Sequence, residues 1–102
     1  MTQKEFLDNL SISYAENIEI SRRKNKDYAT GVDAFKNFRG CEAFGITVEQ
    51  GIMVRMSDKF ARIGNLLTQK AEVKDESISD TLSDLANYAM ILKVYIDSKK
   101  KK

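Results

Sequence analysis

The amino-acid sequence predicts an all-α fold: a small bundle of three long helices and one short helix, assembling into a homo-oligomer. Three observations carry this. Apolar residues recur at steps of three and four along most of the chain, the spacing of a buried helix face. Thr2–Glu5 and Thr47–Gln50 each precede such a run and read as capping boxes. The 102 residues contain no Pro, and no stretch of useful length alternates with the two-residue period of a strand. A single all-α domain is expected over residues 1–98, followed by a disordered basic tail over 99–102.

The first helix opens at the Thr2 capping box. Phe6, Leu10, Tyr14 and Ile18 follow at four-residue steps, so one face is expected to pack inward as far as about Arg23. Glu16 and Glu19 sit three apart on it; such a pair either chelates a divalent cation or is solvated surface, the commoner case. Residues 22–31, RRKNKDYATG, end the helix in basic and turn-forming residues, with Gly31 supplying a free φ. Asp33 is expected to cap a short helix through Arg39, terminated by Gly40. Residues 41–46, CEAFGI, form a connector whose Phe44 and Ile46 are expected to dock on the core.

The second capping box starts a helix running to about Gln69, with Val48, Ile52, Met56, Phe60, Ile63 and Leu67 as its apolar stripe. After a link over 68–74, Asp75 is expected to cap the last helix, where the acids that follow suit the dipole. That helix, 75–96, organises the rest. Ile78, Leu82, Leu85, Ala89, Leu92 and Ile96 form one stripe, and from Leu85 onward it is apolar nearly all round, the mark of burial from several directions. Tyr88, Met90, Ile91, Val94 and Tyr95 present more apolar surface than two or three helices of one chain can cover, which predicts self-association.

Composition excludes several classes. The chain is 42% hydrophobic and 31% charged, as in globular domains and unlike disordered ones. Its formal net charge of +2 owes its sign to the four terminal lysines. They read as a solvated terminus, so no nucleic acid or membrane partner is expected. No apolar run approaches the ~20 residues of a membrane span. One Cys and no His argue against an internal disulfide and against a zinc site, and predict a reducing cytoplasm.

Charge is unevenly spread. Residues 22–39 hold six basic side chains against Asp27 and Asp33, whereas 72–84 hold five acids against Lys74. Such asymmetry suits an anionic ligand held between basic groups and a cation. On the last helix Glu76, Asp80, Asp84 and Asn87 fall on one side, a polar and potentially metal-binding stripe. On the preceding helix Arg55, Asp58, Lys59 and Arg62 share a stripe flanking the core face. Two readings of it stay open: an intrahelical ion-pair ladder, or an anion site for which three bases around one acid are better suited.

Three stretches, KNKDYA (24–29), RMSDKFARIGNLL (55–67) and DESISDTLSDLANYA (75–89), together resemble the phage and bacterial family called nucleotide modification associated domain one. That family is similar in turn to the all-α nucleoside triphosphate pyrophosphohydrolases, the MazG and dimeric dUTPase group. There, two acids on one helix (ExxE) and two on the next (ExxD) hold Mg²⁺ over the triphosphate. Here the pattern departs. Asp58 has Arg55 and Ala61 where an acidic partner would stand, and Glu76 and Asp80 are four apart rather than three.

The resemblance therefore implies two alternative functions. The first is a Mg²⁺-dependent pyrophosphohydrolase. In it Asp58, Glu76 and Asp80 are catalytic and hold the metal with Asp84 in support. Arg55, Lys59 and Arg62 neutralise phosphates, while Lys24, Lys26, Asp27, Tyr28, Asn37 and Asn87 bind the rest of the nucleotide. The second is a metal-independent oligomeric binder that sequesters cyclic-nucleotide or ADP-ribose-type immune signals without turnover.

Overall fold

The computed structural model describes the backbone of residues 1–28, 33–68 and 74–100, and the side chains of 1–24, 33–68 and 77–100. The described residues are all-α, as expected: α1 (Gln3–Tyr28), the 3-10 segment η1 (Lys36–Phe44), α2 (Val48–Leu67) and α3 (Lys74–Lys100), with no strand. The chain divides into two compact units, Met1–Lys36 and Asn37–Lys102. No helix among the described residues is long and apolar enough to cross a membrane.

In the first unit, the Glu5 N–H donates to Thr2 Oγ1 at 3.1 Å, starting α1 where the capping signal stands. The helix runs to Tyr28, within the basic segment 22–31 expected to end it, because Arg and Lys are good helix formers and no Gly intervenes before Gly31. The expected inward stripe is not buried: Phe6, Leu10, Tyr14 and Ile18 are all exposed. Glu19 pairs with Arg22 at 3.1 Å, the solvated-surface arrangement.

The Asp33 carboxylate accepts from the Phe35 N–H at 3.0 Å, as a capping residue does. The turn that follows is 3-10 and passes through Gly40 without a break. It ends instead at Gly45, whose φ of 77° lies in the left-handed region open to glycine. Phe44 and Ile46 do not dock: Phe44 is 83% exposed. Phe38 is the residue of this segment that turns inward.

The second unit is an antiparallel helix hairpin. Its α2 begins at a complete capping box, in which Thr47 Oγ1 accepts from the Gln50 N–H at 3.1 Å and Gln50 Oε1 accepts from the Thr47 N–H at 3.0 Å. Three cross-links fix the opposed direction of α2 and α3: Glu49 to Lys99, Lys59 to Asp84, and Arg62 to Thr81. Among the described residues Val48, Ile52 and Phe38 are the buried apolar side chains, and Thr81 is the buried polar one.

The expected α2 stripe is buried at its start, at Val48 and Ile52, and open toward its end, where Phe60 and Leu67 are each 62% exposed. Leu82 of α3 is exposed too, while Lys59, Arg62, Thr81 and Asp84 make contacts across the seam. A helix that is apolar on nearly every side gives its periodicity no unique direction. The polar cross-links then select the facing row. Finally, α3 extends through Lys99 and Lys100 instead of ending at 98, and Lys99 meets Glu49 at 3.0 Å.

Candidate functional site

The three basic residues of α2 lie along one stripe, and each is held differently. Arg55, one turn from Lys59, points toward η1: its Nη2 donates to the Asn37 carbonyl at 3.3 Å, and its guanidinium stacks 4.7 Å from the centre of the Phe38 ring. Phe38 in turn meets Tyr88 of α3 edge-on at 6.4 Å. This Arg ties three elements together. Asn37 therefore enters through its backbone carbonyl, which Arg55 occupies.

Lys59 pairs with Asp84 across the hairpin at 3.1 Å, both side chains about 30% exposed (28% and 31%). Half-buried as it is, the pair is screened less than a surface one. It shows that the basic stripe of α2 and the acidic stripe of α3 meet, rather than lying on unrelated faces.

Arg62 lies one turn further on. Its Nε–H donates to Thr81 Oγ1 at 3.2 Å, and the Thr81 hydroxyl donates to the Ser77 carbonyl at 2.7 Å. Thr81 is 3% exposed, so this hydroxyl is a fixed point in the interior.

Beside these contacts Asp58, Lys59, Ala61, Arg62, Asn65 and Leu66 line an open groove of about 520 Å³. It offers two cations, one carboxylate, one amide and an apolar wall, a set that suits a ligand with both a charged and a flat apolar part. Asp58 is exposed, as is Asp80, which precedes Thr81 on α3. Neither makes a hydrogen bond or ion pair among the described residues.

The structure thus brings Asp58, Lys59 and Arg62 to one groove and joins Asp84 to it through Lys59. Arg55 and Asn37 meet each other instead, and Asn87 is half-buried on α3. Lys24 belongs to the first unit and is exposed. The side chains of Lys26, Asp27, Tyr28 and Glu76 lie outside the described residues. Among the described residues no three carboxylate, thiol or imidazole groups cluster as a preformed metal cage.

Four residues of the site were not anticipated. Ala61 follows Asp58 by three, and Asn65 and Leu66 extend the row of Asp58 and Arg62 by one more turn, so the helical period already contained them. Thr81 carried a weaker signal: it is one of three hydroxyl residues between Ile78 and Leu85, with Ser79 and Ser83, and nothing in the spacing singles it out as the buried one that needs a partner.

Comparison of the chain with family models, with curated proteins and with solved structures gave no match.

Proposed function

We propose that the α2 groove, beside the contacts with α3, binds a phosphate-bearing nucleotide together with Mg²⁺, and that the chain acts on it as a nucleoside triphosphate pyrophosphohydrolase. The observation that carries this reading is the meeting of the two charged stripes, Lys59 on Asp84 and Arg62 on Thr81, beside an open groove. The groove lining carries Lys59 and Arg62 against Asp58, a charge that favours a polyanion, and Mg²⁺ would offset the charge that the phosphates add.

The donors fit the ion. Mg²⁺ takes hard oxygen ligands, keeps several waters, and is commonly held by one or two carboxylates plus substrate phosphates rather than by an all-protein cage. Asp58 and Asp80, exposed and unpaired among the described residues, are such carboxylates. Glu76 is expected to join them, with Asp84 in support while it holds Lys59. When bound, the ion would supply Lewis-acid stabilisation of phosphate charge. Arg62 and Lys59 bind and orient the phosphates, and Asn65 and Leu66 face the remainder of the nucleotide.

A second reading has its own observation. Asp84 is engaged by Lys59, and the described carboxylates do not gather in threes, which suits a binder that sequesters its ligand without turnover. Chelation separates the two. The purified protein is incubated with Mg²⁺ and a panel of ribo- and deoxyribonucleoside triphosphates, cyclic di- and trinucleotides and ADP-ribose derivatives. Release of pyrophosphate that stops on adding chelator supports the enzyme. Binding that survives chelator with no product supports sequestration, and no binding of any member sinks both.

The same reading includes a second copy of the chain. Met53, Phe60 and Leu67 repeat every seven residues on α2 and are exposed, as are Leu82, Ala86, Met90 and Val94 at four-residue steps on α3. Exposed apolar rows of this kind mark interfaces in helical proteins.

A further inference from the structure

A guanidinium that binds a phosphate by its two terminal nitrogens gains geometric specificity only if the fork is aimed. In this chain the aiming atom is on the page. Thr81 is almost wholly buried, and its single hydroxyl proton is committed to the Ser77 carbonyl at 2.7 Å, so its oxygen faces outward as an acceptor. Arg62 meets that oxygen with Nε–H at 3.2 Å. Using Nε for the anchor turns the edge bearing both terminal nitrogens away from Thr81, and neither terminal nitrogen has a hydrogen-bond partner among the described residues. Arg62 also lines the groove. Lys59, by contrast, spends its charge on Asp84.

From this we infer that Thr81 is a positioning residue: its buried hydroxyl locks the Arg62 side chain so that the fork addresses a phosphate in the groove. Arg62 is then the principal phosphate contact and Lys59 the lesser one. The inference rests on the phosphate-binding reading above, and deepens it by naming what orients the contact. Thr81 does not touch the ligand; it acts through Arg62.

The test is calorimetric titration of the full chain with nucleoside triphosphates and with inorganic tripolyphosphate, each with Mg²⁺, comparing the wild type with Thr81→Val, Thr81→Ser, Arg62→Ala and the Val/Ala double variant. Valine keeps the shape and removes the acceptor; serine keeps the acceptor. Loss of one charge-assisted hydrogen-bond geometry weakens binding on the order of tenfold. We expect that loss in Thr81→Val, recovery in Thr81→Ser, and no further loss when Thr81→Val is added to Arg62→Ala. Far-UV circular dichroism and thermal unfolding confirm that each variant is folded.

Equal affinity of wild type and Thr81→Val overturns the positioning role and leaves the groove reading intact. Equal weakening by valine and serine, or an undiminished valine effect in the Arg62→Ala background, overturns it as well, because the effect would then be packing. A wild type that binds neither the nucleotides nor tripolyphosphate overturns the groove reading itself.

Discussion

At Gly51 the space beside α2 is already taken. A methyl added there would lie 2.6 Å from Cys41 Sγ and 3.4 Å from its Cβ, and that thiol is itself seated 3.2 Å from the Phe38 carbonyl and 3.4 Å from that of Thr47. Gly64, on the same helix, has nothing within 4 Å of the same position. The two glycines should therefore respond oppositely to alanine. Gly64→Ala is expected to stabilise by about 0.5–1 kcal/mol through helix propensity alone. In Gly51→Ala that gain is outweighed by an overpacking cost of about 1–3 kcal/mol, and adding Cys41→Ala should restore it. Urea unfolding of the three variants beside the wild type checks this; equal stabilisation by both alanines would contradict it. Such neighbours were not legible in the sequence. The row of Arg55, Asp58, Lys59 and Arg62 was visible from its spacing, whereas the Phe38 ring under Arg55 and the hydroxyl under Arg62 come from other elements and left no periodic trace.

Elements are joined at their ends by polar contacts. The Thr47 box starts α2, and Thr47→Ala is expected to cost about 1 kcal/mol of stability, as capping threonines do. Glu49 in the first turn meets Lys99 in the last turns of α3. A hydrogen bond from its own backbone, and then Lys99, hold the Glu49 carboxyl below its ordinary range, while Glu49 holds Lys99 above its own. The depressed carboxyl contributes stability above its unfolded pKa that is lost as pH falls through the folded value. The raised amine contributes below its unfolded pKa, and that part is lost as pH rises through the folded value. The link thus spans the neutral range and opens at both extremes. NMR titration of Glu49 should give a midpoint below that of an unperturbed glutamate, partly restored in Lys99→Met; an ordinary midpoint in the wild type would contradict the contact. Helix starts were readable because capping chemistry is local. Helix faces were less so: α3 is apolar on most sides, and Thr81 and Asp84 meet α2 while Leu82 stays exposed.

For the whole molecule, the all-α class followed from helical periodicity and capping chemistry, while the apolar rows left open on α2 and α3 point to a partner surface. We expect light scattering to give a mass that is a multiple of 11.6 kDa; Phe60→Glu, which places charge in the 53–60–67 row, should lower it toward one chain. A strictly monomeric wild type would remove the second copy from the account. The proposed function rests on something narrower, the contacts of Lys59 with Asp84 and of Arg62 with Thr81 beside one groove. Its most direct measurement is the affinity of wild type and Arg62→Ala for nucleoside triphosphates with Mg²⁺. The account predicts that at least one nucleotide binds the wild type, and that Arg62→Ala, still folded, binds it about 10–100-fold more weakly. Undiminished binding by Arg62→Ala, or no binding by the wild type, would contradict it.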